Sequence, residues 1–334
     1  MPRFAALDLG SNALRLRIAE TQGPIPMSDA ADEGPPSSTM RVNATPPSNG
    51  KSNGFSEVVS LRVPVRLGSD VFATGSLSAT SINQACAALR EFRKAMDTAH
   101  VDSYRAVATA AARDADNAGV LIERARREAG IELEVIEGIE EARLIQLAMT
   151  RRIRLDTCRA MLIDVGGGSS EFTLLENGKV AFSTSLPLGT VRLLDAYLRT
   201  SSAPTRRQVR LVDETVDRAL AELREPLGGA SVDAFVGSGG NVDTLAELCP
   251  LEGGHGAFGR AIDLAQLKQF SQKAAALSTD ERQKAFGLRA DRADTILPAS
   301  RIFMRAAEVF KVPAIVAPGV GLKEGLLLEL ADKH

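Results

Sequence analysis

Two short runs in this chain each place an acidic residue at the start of a glycine-rich turn. The first is Asp8-Leu9-Gly10-Ser11-Asn12, after the apolar run Phe4 to Leu7. The second is Asp164-Val165-Gly166-Gly167-Gly168-Ser169, after Ala160 to Ile163. Each predicts a strand, an acidic residue, a turn and a second strand. Glycine lets a backbone turn sharply and bring several N–H groups onto one anion. An Asp before such a turn can hold a hard cation or orient a water. In the second run Gly166, Gly167 and Gly168 offer amide donors, and Asp164 and Glu171 supply oxygen ligands suited to Mg²⁺. Asp8 occupies the matching place in the first run. Two such devices point to two similar half-domains that grip a metal-bound phosphate chain between them.

A third amide cluster, Gly237-Ser238-Gly239-Gly240, lies just before a predicted helix, with Gly239 and Gly240 as candidate anion contacts. Arg192, Arg199, Arg206, Arg207 and Arg210 read first as a solvated helical face, with a polyanion track as the alternative.

The elements that must position these groups can be read in outline. Phe4 to Leu7 and Leu14 to Ala19 predict a hairpin. Residues 21–57 are rich in Pro, Ser and Gly and read as a flexible insertion. The strand Val58 to Leu67 follows, then a long helix capped by Ser78. Strand Tyr104 to Thr109, helix Ala118 to Ala129 stopped by Gly130, strand Leu133 to Ile136 and a helix from Glu140 to Met149 complete the first half. The second half opens with three strands, Ala160 to Ile163, Glu171 to Leu175 and Lys179 to Ser185, the last two joined by the hairpin signal Asn177-Gly178. Helices are expected from Val191, over Arg206 to Arg224, near Leu264 to Ala276 and over Ala290 to Phe310. Strands are expected at Val232 to Val236 and Ala314 to Ala317, and a last helix over Leu322 to Ala331. This order predicts an α/β protein with a duplicated RNase H-like fold, two domains flanking a ligand cleft.

At 334 residues the chain can form two cores. Forty basic and 42 acidic residues, net −2, do not signal wholesale nucleic-acid binding. Three scattered cysteines and three histidines form no metal or disulfide framework, so a cytoplasmic setting is expected. No run has the length of a membrane span.

Taken in order, the motifs resemble the exopolyphosphatase / guanosine pentaphosphate phosphohydrolase (Ppx/GppA) family, of the actin–Hsp70–sugar kinase fold group. The resemblance rests on the two Asp-Gly turns with Ser169-Ser170-Glu171, on Ala108-Thr109-Ala110-Ala111-Ala112-Arg113, and on Glu140-Glu141-Ala142-Arg143-Leu144-Ile145. Ser185-Leu186-Pro187-Leu188-Gly189, Gly237 to Gly240 and Gly321-Leu322-Lys323-Glu324-Gly325 complete it. It implies domains over 1–139 and 140–320, with residues 321–334 returning to the first. It also implies Mg²⁺-dependent hydrolysis of the terminal phosphoanhydride of polyphosphate or guanosine pentaphosphate. Glu141 would be the general base and Arg113 a phosphate contact that offsets developing charge. Ser11, Asn12 and Ser169 would touch phosphate or the attacking water, and Asp164, Glu171 and Asp8 would serve the metal. A homodimer is compatible with the resemblance. Without it, Glu140 and Glu141 would simply favour a helix N-terminus, and Arg113 would pair with Asp114 or Asp116. The chain departs from the family pattern at Ala13, at Glu137-Gly138-Ile139 and at Pro318-Gly319. An ATP-dependent phosphotransferase of the same fold group and a weakly catalytic sensor are the alternatives.

Overall fold

The computed structural model describes residues 1–21, 54–199, 202–223, 231–252 and 260–334. Most of the insertion expected at 21–57 lies outside these. The described residues fall into two compact units, one within Met1–Asp29, Pro47–Arg152 and Val320–His334, the other within Ile153–Gly319.

The first unit holds strands β1 (Arg3–Leu9), β2 (Leu14–Thr21), β3 (Phe55–Val63), β4 (Ser103–Ala108) and β5 (Leu133–Val135), in the sheet order β3-β2-β1-β4-β5. The first three run antiparallel, and β4 and β5 continue parallel to β1. Its helices are α1 (Leu67–Thr74), α2 (Ala79–Thr98), α3 (Ala110–Arg113), α4 (Ala118–Ala129), α5 (Gly138–Arg152) and a C-terminal helix, Leu322–Asp332. Ser78 caps α2 by accepting from the Ser81 N–H, and the apolar face of α2 (Ile82, Cys86, Leu89, Phe92, Met96) is buried against the sheet core. Gly130 ends α4 in the left-handed conformation. The strand expected to run to Leu67 stops at Val63. Pro64 follows, which cannot donate to a ladder, and the chain turns into α1.

The second unit repeats the plan. Strands β6 (Arg159–Val165), β7 (Ser170–Glu176), β8 (Lys179–Leu186), β9 (Ala234–Ser238), β10 (Arg260–Asp263) and β11 (Ala314–Ala317) are ordered β10-β11-β9-β6-β7-β8. The order β8-β7-β6-β9-β11 mirrors that of the first sheet, with the antiparallel β10 added at one edge. Asn177 and Gly178 both adopt positive φ in the β7–β8 turn. The helices are α6 (Thr190–Leu193, continued by a π-turn over Leu194–Leu198), α7 (Arg206–Ala221), α8 (Val242–Leu248), α9 (Leu264–Ala275), α10 (Thr279–Phe286), α11 (Ala290–Ala293) and α12 (Ile296–Val309). The C-terminal helix of the first unit is α13. The single helix expected over Ala290 to Phe310 is split into α11 and α12. Pro298 stands in the first turn of α12, where its missing N–H leaves no hydrogen bond unmade. Strand β10 and helix α10 were not anticipated.

Each unit has its own core, and the two together form the α/β, duplicated RNase H-like arrangement expected from the sequence. Helix α5 packs on α13 within the first unit, so the compact division falls after Arg152 rather than at the expected 139/140. The contact is close: a Cβ on Gly325 would stand 2.1 Å from the Leu144 carbonyl oxygen. An ion-pair network reinforces it. Arg143 bridges Glu140 and Glu329, and Arg105 pairs with Glu134, Glu140 and Glu329. No helix among the described residues is long and apolar enough to cross a membrane.

Candidate active site

The two Asp-Gly turns share one backbone geometry. The Gly10 N–H donates to the Ala13 carbonyl at 3.2 Å, and the Gly166 N–H donates to the Ser169 carbonyl at 3.0 Å. Gly166 is therefore not one of the amide donors expected at the turn. Each turn is also held from behind by the helix that follows its third strand. The Ser11 carbonyl accepts from the Gly68 N–H at 2.9 Å, at the start of α1. In the second unit the Gly166 carbonyl accepts from Thr190 N–H at 3.0 Å and the Gly167 carbonyl from Val191 N–H at 2.8 Å. The Gly168 carbonyl accepts from Arg192 Nε at 3.0 Å.

In a trans peptide the C=O and the following N–H point in opposite directions. With the carbonyls of Gly166, Gly167 and Gly168 turned to α6, the N–H groups of Gly167, Gly168 and Ser169 face away from it. Successive backbone N–H groups turned to one side are the kind of arrangement that can receive an anion. The approach of α6 requires glycine, because a Cβ on Gly189 would stand 2.3 Å from the Gly167 oxygen. Gly239 lies equally close on the other side. At φ +103° its Cβ would stand 2.4 Å from the Val165 oxygen, which places the Gly239-Gly240 turn against the root of the second hairpin.

The hairpins differ in what faces the Asp. Asp8 is opposite Arg15 in the β1–β2 register, and Arg15 Nη1 donates to Asp8 Oδ2 at 2.8 Å. Asp164 is opposite Glu171 in the β6–β7 register. Both acids are buried, and a carboxylate oxygen of each lies within 4.8 Å of the other. Two hard oxygen donors with like charge, side by side at an amide-lined turn, fit a small divalent cation such as Mg²⁺. Asp8, expected beside them as a metal residue, instead has a guanidinium partner.

In the first unit the carboxyl ends of the parallel strands gather the remaining candidates, the usual place for a ligand site in such sheets. The Thr109 N–H donates to the Leu9 carbonyl at 3.2 Å and the Ile136 N–H to the Ala108 carbonyl at 3.0 Å, which draws the three strand ends together. Ser11 and Asn12 are buried there, and Asn12 Oδ1 accepts no hydrogen bond among the described residues. Arg113, at the end of α3, donates from Nη1 to the Ile136 carbonyl at 3.1 Å and stands 3.9 Å from Glu141 Oε2.

Glu140 and Glu141 have different surroundings. Glu140 is tied to Arg143 and Arg105, and the hydrogen bond from Arg143 holds its carboxyl below the usual range against the opposing effect of burial. Glu141 is only 6 % exposed in the first turn of α5. Arg192, one of the five arginines considered for a polyanion track, is engaged by the second turn. Arg199 pairs with Asp195, and Arg210 with Glu214.

A family model described as the Ppx/GppA phosphatase family matches residues 48–334. The chain belongs to the Ppx/GppA phosphatase family. Exopolyphosphatase 1 of Mycobacterium bovis is 28% identical, over 99% of this chain and 89% of that protein. The guanosine-5'-triphosphate,3'-diphosphate pyrophosphatase of Aliivibrio fischeri is 24% identical, over 99% of this chain and 60% of that longer protein. The crystal structure of the Aquifex aeolicus Ppx/GppA member matches with a TM-score of 0.73 and 27% identity, covering 99% of this chain and 98% of that one. An exopolyphosphatase structure from Cytophaga hutchinsonii, at TM-score 0.81 and 22% identity, covers 99% of this chain and 98% of its own and shares the fold. At two positions where the chain departs from the expected family pattern, Ala13 is fully buried and contributes its carbonyl to the first turn, and Gly319 takes a left-handed φ of +70°.

Proposed function

We propose that this protein removes the terminal phosphate of inorganic polyphosphate or of guanosine pentaphosphate by Mg²⁺-dependent hydrolysis in the cytoplasm. The observation that carries this reading is the buried Asp164–Glu171 pair, set opposite one another at the glycine turn of a Ppx/GppA chain.

In this reading Asp164 and Glu171 hold the cation, which neutralises phosphate charge when bound. The N–H groups of Gly167, Gly168 and Ser169 bind phosphate oxygens, and Ser11, Asn12 and the Gly239-Gly240 turn add further contacts. Arg113 offers a planar fork to the terminal phosphoryl group. Glu141 accepts the proton of the attacking water. A water oxygen–phosphorus bond forms and the bridging phosphorus–oxygen bond breaks. The electron pair leaves on the shortened chain or nucleotide. Asp8, already paired, keeps Arg15 in place at the first turn.

The test is a parallel measurement of phosphate release from polyphosphate, guanosine pentaphosphate and ATP, with and without Mg²⁺. Release from either of the first two, dependent on Mg²⁺, is expected. Transfer from ATP to an acceptor with no release from the others would overturn the reading in favour of a phosphotransferase.

A further inference from the structure

We infer that Ser185 and Ser238 are positioning residues that hold the Asp164–Glu171 pair ready for a divalent cation. This rests on the metal reading above. The strand registers pair Ser238 with Asp164, Asp164 with Glu171, and Glu171 with Ser185. Directly opposed residues project to the same face of a sheet. The four side chains therefore form one row across β9, β6, β7 and β8, reading hydroxyl, acid, acid, hydroxyl.

Each hydroxyl is bonded to its neighbouring acid. Ser238 Oγ donates to Asp164 Oδ1, and Ser185 Oγ donates to Glu171 Oε1 at 2.7 Å. A serine hydroxyl has one proton to give, so each serine engages one oxygen of one carboxylate and restrains its rotation. The support is rigid at both ends of the row. Ser238 is 1% exposed and precedes Gly239, which is wedged against Val165, while Ser185 is anchored in the β7–β8 ladder.

The first hairpin shows the contrast. There Arg15 faces Asp8 and cancels its charge. A serine in the same relationship orients an acid without itself bringing a positive charge to it.

The experiment is calorimetric titration of Mn²⁺ into the full chain and into Ser185→Ala, Ser238→Ala, Ser185→Thr and Asp164→Asn, with folding checked by circular dichroism and melting. Wild type should bind and Asp164→Asn should lose binding. Each Ser→Ala variant should bind about 10- to 100-fold more weakly, the usual effect of losing a ligand's supporting hydrogen bond. Ser185→Thr, which keeps the hydroxyl, should restore binding. Ser185 lies half-buried on the edge strand β8, so its variant carries the test if Ser238→Ala does not fold. Wild-type binding in a folded Ser185→Ala variant overturns the inference while leaving the metal reading intact. A wild type that binds no Mn²⁺, or an Asp164→Asn variant that binds as well, overturns the metal reading and this inference with it.

Discussion

Asp164 and Glu171 stand directly opposite one another on β6 and β7, where the equivalent pair of the first hairpin is Asp8 and Arg15. The same backbone device is thus balanced internally in one unit and carries two adjacent acids in the other. Under the proposed function, the second hairpin is the one whose residues would hold the cation.

Replacing Asp164 with Asn removes one of the two charges. We expect the Mg²⁺ titration of activity to shift to higher concentration and the maximal rate to fall, because a hard cation prefers a charged oxygen. An unchanged titration curve would remove Asp164 from the metal site.

Glu141→Gln keeps the shape of the side chain and loses the proton acceptor. Turnover should drop by about 10²- to 10⁴-fold, the usual contribution of a positioned base, with little change in substrate affinity. Single-turnover kinetics with a binding measurement on the same variant checks this, and near-normal turnover would exclude the role.

Two glycine-to-alanine changes should separate site from scaffold. Gly189→Ala drives a Cβ into the Gly167 carbonyl and should displace the amide-lined turn, so phosphate release should fall sharply. Gly325→Ala drives a Cβ into Leu144 at the α5–α13 contact. It should cost about 1–3 kcal/mol of stability, as overpacking does. Melting curves and phosphate release for both variants, read side by side, distinguish the two effects.

The ion-pair network predicts a pH dependence of stability. Burial tends to raise the Glu329 carboxyl, but the Arg143 hydrogen bond and the Arg105 charge outweigh it and hold it low. Glu140 is held low as well, chiefly by Arg143. Both groups titrate lower in the folded protein than in the unfolded chain. Their contribution is therefore complete above the unfolded carboxyl range near about 4.3 and is lost as pH falls through the depressed folded values. Glu329→Gln should cost about 1–2 kcal/mol at neutral pH, allowing for solvent screening of partly exposed partners. The deficit should shrink in acid, as read from denaturant unfolding at several pH values.

Much of this was legible in the sequence where local signals are strong. Ser78 caps a helix with a clear apolar stripe, and Asn177-Gly178 makes a two-residue hairpin turn. Asp164 and Glu171 were named from the sequence, but the register that sets Glu171 opposite Asp164 and Arg15 opposite Asp8 comes from the structure. The supports behind the turns were not. Gly68 reaches Ser11, and Thr190 to Arg192 reach Gly166 to Gly168, through contacts set by the packing of whole elements rather than by local pattern. Strand β10 was missed because four residues at a sheet edge show too little alternation to separate from a loop.

Helix α13 has a consequence for how the chain is made. Leu326, Leu327 and Leu328 are buried, and the helix packs on β1 and α5, elements that leave the ribosome long before it. The usual sequence, in which the N-terminal domain folds first during synthesis, cannot run to completion here. The first unit must wait with a hydrophobic face uncovered while all of Ile153–Gly319 is translated, and the part begun first is finished last.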